Sequence, residues 1–426
     1  MAKAGDRVKV VTKEEEFEGI LMPRPELLGK DVTVLKLDNG YNIGIDNDKI
    51  TSTRVVKAYV PKKMVKKKLK IDKKLPTVTI LSCGGTISSR VDYKTGGVHA
   101  DYTAEDFVAM CPELAKIANI KARQLMSVMS EDMGTAEWRT IAIAAAEELK
   151  KADGVIVTMG TDMLHFAAAV LSFFLKDLNK PVIFTAAQRS IDRGSSDAFM
   201  NLICAVTAAA KSDIAEVMSC LHGTSTDDYC LLIRGTKVRK MHTSRRDAFR
   251  PINELPLAKV FPDGNIEVLN KDYRRRGNGA VRVDAGFEEK VALIQVHPHM
   301  DPDIIDYFIK KDYKGIVIAA TALGHVPTTK RSLLPNIRKA IDKGMIVMIA
   351  SQTLYGRTHP HVYTNLRKLS IELGCIFAED MLPETAFIKL GYVLSKARNK
   401  DEAKKMMLEN MAGEITKRIL PESFLY

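Results

Sequence analysis

Two threonines stand just past the ends of apolar runs, where a hydroxyl could attack a carbonyl. The first follows Thr77-Val-Thr-Ile-Leu-Ser-Cys-Gly-Gly-Thr-Ile87, in which paired glycines permit a sharp turn and let a substrate approach the backbone. Thr86 is the first hydroxyl beyond that turn. The second lies in Val155-Ile-Val-Thr-Met-Gly-Thr-Asp-Met163, with Thr161 and Asp162 at the expected start of a helix, where either could equally act as an N-cap. A hydroxyl needs a base, because its own pKa lies far above neutrality. His165, His222, His242, His297, His299 and His325 are available, yet none stands in a Gly-x-Ser-x-Gly or similar setting. A threonine, aspartate and lysine relay is the economical alternative. In it Asp162 holds a lysine whose pKa is lowered by burial, and the lysine draws the proton from Thr161. Arg234-Gly-Thr-Lys-Val-Arg-Lys-Met-His-Thr-Ser244 offers both Lys237 and Lys240, and two lysines so close are not both expected to be buried.

The elements that must position these residues can be read outward from them. From Thr77 onward, apolar strands alternate with helical periodicity, the pattern of a parallel sheet covered on both faces. Residues 78–81, 154–158, 182–185 and 231–233 read as strands. Residues 136–151 and 163–178 read as helices, with apolar positions recurring every three or four residues. In such sheets the functional side chains sit beyond the carboxyl ends of the strands, where both threonines fall. A loop-rich stretch, 262–289, separates this unit from a second α/β unit with strands at 291–296, 315–319 and 345–350. Before residue 60, short β-like runs at 7–10, 17–21, 31–37 and 41–45 are divided by turn signals such as Asp38-Asn-Gly40, as in a small SH3-like barrel. The expected division is a barrel over 1–60, a basic linker over 61–76, and α/β domains over 77–275 and 290–426.

A chain of 426 residues with 46% hydrophobic content suits several cores, and no apolar run approaches the roughly 20 residues that cross a bilayer. A soluble, cytoplasmic protein is expected, its six scattered cysteines reduced. The net charge of +12, with much of the lysine between Lys57 and Lys74, favours a polyanionic partner without requiring one, since runs of like charge usually stay solvated.

Five segments in order, Gly84-Gly-Thr-Ile87, Ser130-Glu-Asp-Met133, Thr158-Met-Gly-Thr-Asp162, Lys240-Met-His-Thr-Ser-Arg245 and Phe377-Ala-Glu-Asp-Met-Leu-Pro-Glu-Thr385, resemble the motifs of the bacterial-type L-asparaginase family. The match runs from about Thr77 to the C-terminus. It implies an α/β, L-asparaginase-like two-domain parallel-sheet fold, and an acyl-threonine mechanism needing no metal or organic cofactor for amide hydrolysis. By the resemblance, Thr86 is the first nucleophilic threonine, while Thr161, Asp162 and Lys240 are its second threonine, aspartate and lysine. Ser130 would bind the substrate's α-carboxylate and Asp162 its α-ammonium. Which threonine attacks first stays open, with Thr86 preferred. A flap tyrosine is expected at Tyr93, with Tyr102 as the alternative. Glu131 stands where many asparaginases have glutamine, so a carboxylate would face the substrate's ammonium, and the choice between glutamine and asparagine is open.

Ordinary asparaginases begin close to the strand before Gly-Gly-Thr, so the barrel and linker are an extension. Together with Asp380-Met-Leu-Pro-Glu-Thr-Ala386 they resemble the family of D-type subunits of the archaeal glutamyl-tRNA(Gln) amidotransferases. That resemblance implies a glutaminase releasing ammonia for a partner, the E-type subunit, which amidates glutamate on tRNA(Gln) using ATP and Mg. It also implies a homodimeric core with two copies of the partner. A stand-alone asparaginase and a non-catalytic RNA-binding module on a hydrolase fold are the competing readings.

Overall fold

The computed structural model describes residues 2–22, 31–39, 41–59, 71–85, 87, 90–91, 98–99, 103–189, 191 and 195–426. Near the N-terminus five strands, β1 (Arg7–Thr12), β2 (Glu16–Leu21), β3 (Val32–Lys36), β4 (Asn42–Asp46) and β5 (Ile50–Lys57), form an antiparallel sheet in the order β4-β3-β2-β1-β5. Its core is small, with Val8, Val10, Leu35 and Ile45 buried. The fifth strand is absent from the sequence reading. Its residues are exposed almost throughout, so they show no apolar alternation to betray a strand, and only pairing with β1 makes it one. Most of the lysine-rich stretch, 60–70, lies outside the described residues.

The central sheet has eight strands. In chain order these are β6 (Thr77–Ser82), β7 (Asn119–Gln124), β8 (Gly154–Thr158), β9 (Val182–Thr185), β10 (Val217–His222), β11 (Cys230–Arg234), then, past a two-stranded ribbon of β12 (Val238–Lys240) and β13 (Phe249–Pro251), β14 (Ala258–Val260) and β15 (Ile266–Val268). The spatial order is β15-β14-β11-β10-β9-β8-β6-β7. The strands from β7 to β10 are parallel, but β11, β14 and β15 run antiparallel to their neighbours. Residues 231–233, expected in a parallel sheet, therefore belong to an antiparallel edge. Only the turn 223–229 joins β10 to β11, too short for the crossover a parallel pair requires.

Alternation along the strands feeds two cores. Val155 and Val157 of β8 face the layer of helices α1 (Thr135–Leu149) and α2 (Leu164–Phe174), while Ile156 faces the layer of helix α3 (Ala198–Lys211). α2 is shorter than the 163–178 expected. After Phe174 the chain turns to pair Leu175 and Lys176 with Val283 and Arg282, and Asp177 takes a φ of +57°.

The C-terminal unit is a parallel sheet of β16 (Val291–Gln295), β17 (Gly315–Ala320), β18 (Ile346–Ser351) and β19 (Ile376–Phe377), in that order. Its helix α4 (Pro383–Leu394) packs on α2 of the other unit, with Phe166 and Phe387 rings 6.3 Å apart and Phe173 stacked on Tyr392 at 5.9 Å. One apolar core runs through both units. Each fully buried side chain of this size contributes about 1.5–3 kcal/mol, so the contact is a shared core rather than a loose hinge. Among the described residues no helix is long and apolar enough to cross a membrane. All six cysteines are buried and unpaired.

Candidate active site

Three adjacent strands deliver the motif residues to one edge. Ser82 of β6 sits in register with Thr158 of β8 on one side and Gln124 of β7 on the other. Because the strands are parallel, their carboxyl ends, and the turns that follow, lie together. Backbone bonds tie the turns, Cys83 N to Thr158 O at 2.8 Å and Val128 N to Cys83 O at 3.3 Å.

The glycines are required by this crowding. Gly84 and Gly85 take φ of +100° and +81°, and a Cβ on Gly85 would fall 2.4 Å from the amide nitrogen of Gly160. A Cβ on Gly160 would in turn stand 2.9 Å from Ser130 Oγ. The Gly-Gly turn, the Gly-Thr-Asp turn and Ser130 thus touch through backbone and a single hydroxyl. Ser130 is buried, donates to Glu131 Oε2 at 3.2 Å and accepts from the Met163 amide at 3.4 Å. Glu131 is itself exposed, beside Ser130 in a short 3-10 turn.

Lys240 completes the cluster from β12. Its ammonium donates to Thr161 Oγ1 at 2.9 Å and to Asp162 Oδ1 at 2.7 Å. The Lys240 side chain is 10% exposed and that of Asp162 is 64% exposed, so the lysine reaches the site from beneath and the carboxylate from the solvent side. Thr161 and Asp162 are not N-caps. The residue before α2 is Met163, and no side chain caps that helix. Thr86, Tyr93 and Tyr102 lie outside the described residues.

Lys237 does not join this cluster. It is fully buried and bonds Asp380 Oδ2 at 2.8 Å, across the two units. The two lysines so close are not both buried, as expected: Lys237 is sealed with Asp380, while Lys240 keeps part of its side chain exposed beside Asp162. Sequence reasoning also passed over His165. Its ring is part-buried beside Phe166, its Nδ1 is buried with no hydrogen-bond partner among the described residues, and desolvation, aided by the Arg239 and Lys240 cations, lowers its pKa to about 4. His165 is thus neutral at pH 7 and sits within electrostatic reach of the lysine. His222 is held elsewhere by Asn201 and Asp227, and His325 lies against Tyr363 in the C-terminal unit.

The chain matches the family models "Asparaginase, N-terminal" over residues 77–274, "Glutaminase/Asparaginase C-terminal domain" over 290–407 and "GatD N-terminal domain" over 2–56. Among curated proteins it is 51% identical to the D-type subunit of the glutamyl-tRNA(Gln) amidotransferase of Pyrococcus furiosus, covering 99% of this chain and 97% of that one. The chain belongs to the family of glutamyl-tRNA(Gln) amidotransferase D-type subunits. The member from Methanopyrus kandleri is 44% identical over 96% of this chain and 91% of its own. Among solved structures, the L-asparaginase of Thermococcus kodakarensis superposes with a TM-score of 0.71 at 29% identity, and L-asparaginase I of Vibrio cholerae with 0.70 at 27%. These cover 100% and 99% of the asparaginases but 80% of this chain. A member of the D-type family is therefore an asparaginase-like body carrying additional chain, and the N-terminal sheet falls within the segment that the asparaginase models do not match.

Proposed function

We propose that this chain is the glutaminase component of a tRNA-dependent amidotransferase, releasing ammonia from glutamine for conversion of Glu-tRNA(Gln) to Gln-tRNA(Gln) by a partner protein. Full-length similarity to the D-type family supports the assignment. One observation carries the chemistry: Lys240 Nζ lies within hydrogen-bond reach of both a threonine hydroxyl and a carboxylate at the carboxyl edge of a parallel sheet.

In this reading Thr86 attacks the side-chain amide carbon, and Thr161, Asp162 and Lys240 form the proton relay. As Thr86 attacks, its proton passes to Thr161, which gives its own to a neutral Lys240 across the same 2.9 Å contact, and Asp162 stabilises the ammonium that results. The proton passes to the departing nitrogen, ammonia leaves, and water then cleaves the acyl-threonine by the same route. Backbone amides at the glycine turns hold the oxyanion. Ser130 binds the α-carboxylate, Glu131 and Asp162 face the α-ammonium, and Tyr93 is the flap residue. No metal or organic cofactor takes part in the hydrolysis, while ATP and Mg act at the partner. That partner is the E-type subunit, in a cytoplasmic complex of two copies of each chain around a homodimeric core, with tRNA(Gln) as its polyanion.

Likeness to L-asparaginases favours a second reading, a free asparaginase. The test compares glutamine and asparagine hydrolysis by the full chain with and without the partner and glutamylated tRNA. Slow hydrolysis alone that rises on addition supports the amidotransferase role. Equally fast hydrolysis by the chain alone overturns it.

A further inference from the structure

The strand that carries Lys240 is not part of the central sheet. Among the described residues β12 pairs only with β13, in a ribbon three residues long on each side, and so short a pair is marginal by itself. Its position must be set by what it packs against. Its two faces have different partners. Lys237 and Arg239, two residues apart and so on one face, bond Asp380 and Glu384 of the C-terminal unit, while Lys240 points to Thr161 and Asp162 on the other. A third tie runs from Thr385 Oγ1 to Thr236 O at 2.9 Å. The short stretch from Asp380 to Ala386 is thus the frame on which the lysine-bearing strand is stretched.

We propose that Glu384, acting through Arg239, is a positioning residue for Lys240: the C-terminal unit sets both the place of the site lysine and the charge around it. The proposal rests on the relay described above. Glu384 lies in the first turn of α4, where the helix dipole favours a carboxylate, and is largely buried, with Oε2 left unpartnered among the described residues. It cancels the Arg239 guanidinium next to Lys240. The charged and titratable groups tied to Lys240 or to its neighbour Arg239 by these contacts are Asp162, His165 and, through Arg239, Glu384. With His165 neutral and Arg239 compensated, Asp162 is the one uncompensated charge of that set facing the ammonium. A fixed strand and a balanced charge are two services of one carboxylate, and they make separable predictions.

The test uses the full chain and reads kcat, KM, Tm and the pH dependence of kcat/KM for glutamine hydrolysis. Glu384→Gln strands a cation beside Lys240, so its ammonium deprotonates more easily. The limb on which the base must lose its proton should move to lower pH by on the order of one unit. The optimum rate should fall roughly ten- to hundredfold with KM held within a factor of about two, because misplacement of a base costs rate rather than binding. Arg239→Met removes the cation and leaves the carboxylate, so the limb should move the other way. The double variant should bring the limb back towards the parent, and Glu384→Asp should retain more rate than Glu384→Gln. If Glu384→Gln does not fold, Arg239→Met and the double variant decide by the same limb. An unmoved limb, or a rate loss that only follows Tm, overturns the proposal. Lys240→Met is measured alongside. If that variant still hydrolyses glutamine, the relay itself fails; if it is inactive while the limbs stay still, only the positioning role fails.

Discussion

Lys237 and Lys240 are three residues apart, of one type, and opposite in use. Lys237 is sealed between the units with Asp380, neither side chain exposed, and can only hold the units together. Lys240 keeps a slight exposure and shares its ammonium between a hydroxyl and a solvent-facing carboxylate. The difference lies in the partner. A carboxylate buried with its lysine makes a fixed pair, and a carboxylate open to water leaves its lysine at the edge of solvent.

The comparison breaks most visibly by truncating each lysine. Lys240→Met should lower kcat for glutamine by roughly four orders of magnitude in a steady-state ammonia assay, with Tm little changed. Lys237→Met removes the lysine from buried Asp380, which keeps only the Thr416 amide at 2.9 Å and Arg357 at 3.9 Å on its other oxygen, and should cost about 3 kcal/mol of stability in denaturant unfolding, with any surviving enzyme turning over normally. Arginine sharpens the contrast. Lys240→Arg should be as inactive as Lys240→Met, because a guanidinium does not act as a base near neutrality, whereas Lys237→Arg keeps the charge and should retain most activity. Activity in Lys240→Arg would place the proton relay elsewhere.

A smaller effect separates the two by pH. His165 has its pKa lowered from 6.5 to about 4 by burial and then by Arg239 and Lys240. The folded protein therefore binds this proton less readily than the unfolded chain. The stability it contributes is complete above about pH 6.5 and is lost as pH falls towards 4, a loss of about 3 kcal/mol in all. Unfolding free energies of His165→Gln and the parent, compared across that window, should converge at low pH; parallel curves would show that His165 is not held neutral.

Much of the site was legible because it is local. Gly84-Gly85 and Gly160-Thr-Asp162 each sit within a few residues of the strand before them, and the order of the motifs was enough to prefer Lys240 over Lys237. What escaped is what only tertiary structure joins. The Lys237–Asp380 and Arg239–Glu384 pairs link residues 143 and 145 positions apart, so Asp380 and Glu384 could be quoted within a motif without their partners being visible. β5 and the antiparallel edge were hidden for a related reason: pairing, rather than apolar pattern, decides an exposed strand and its direction. His165 was dismissed with the other histidines because nothing in the sequence says that its ring is part-buried beside cations.

The contact of Gly85 with Gly160 has a further consequence. Where Gly85 meets Met159 and Gly160, the gap is set by main chain against main chain. That spacing cannot be changed by a side chain at Gly85 without driving the turns apart, and a side chain at Gly160 would push on Ser130 instead. In the proposed reading, discrimination between substrates one methylene apart would then fall to groups that do carry side chains, of which Glu131, exposed beside Ser130, is the one most open to change.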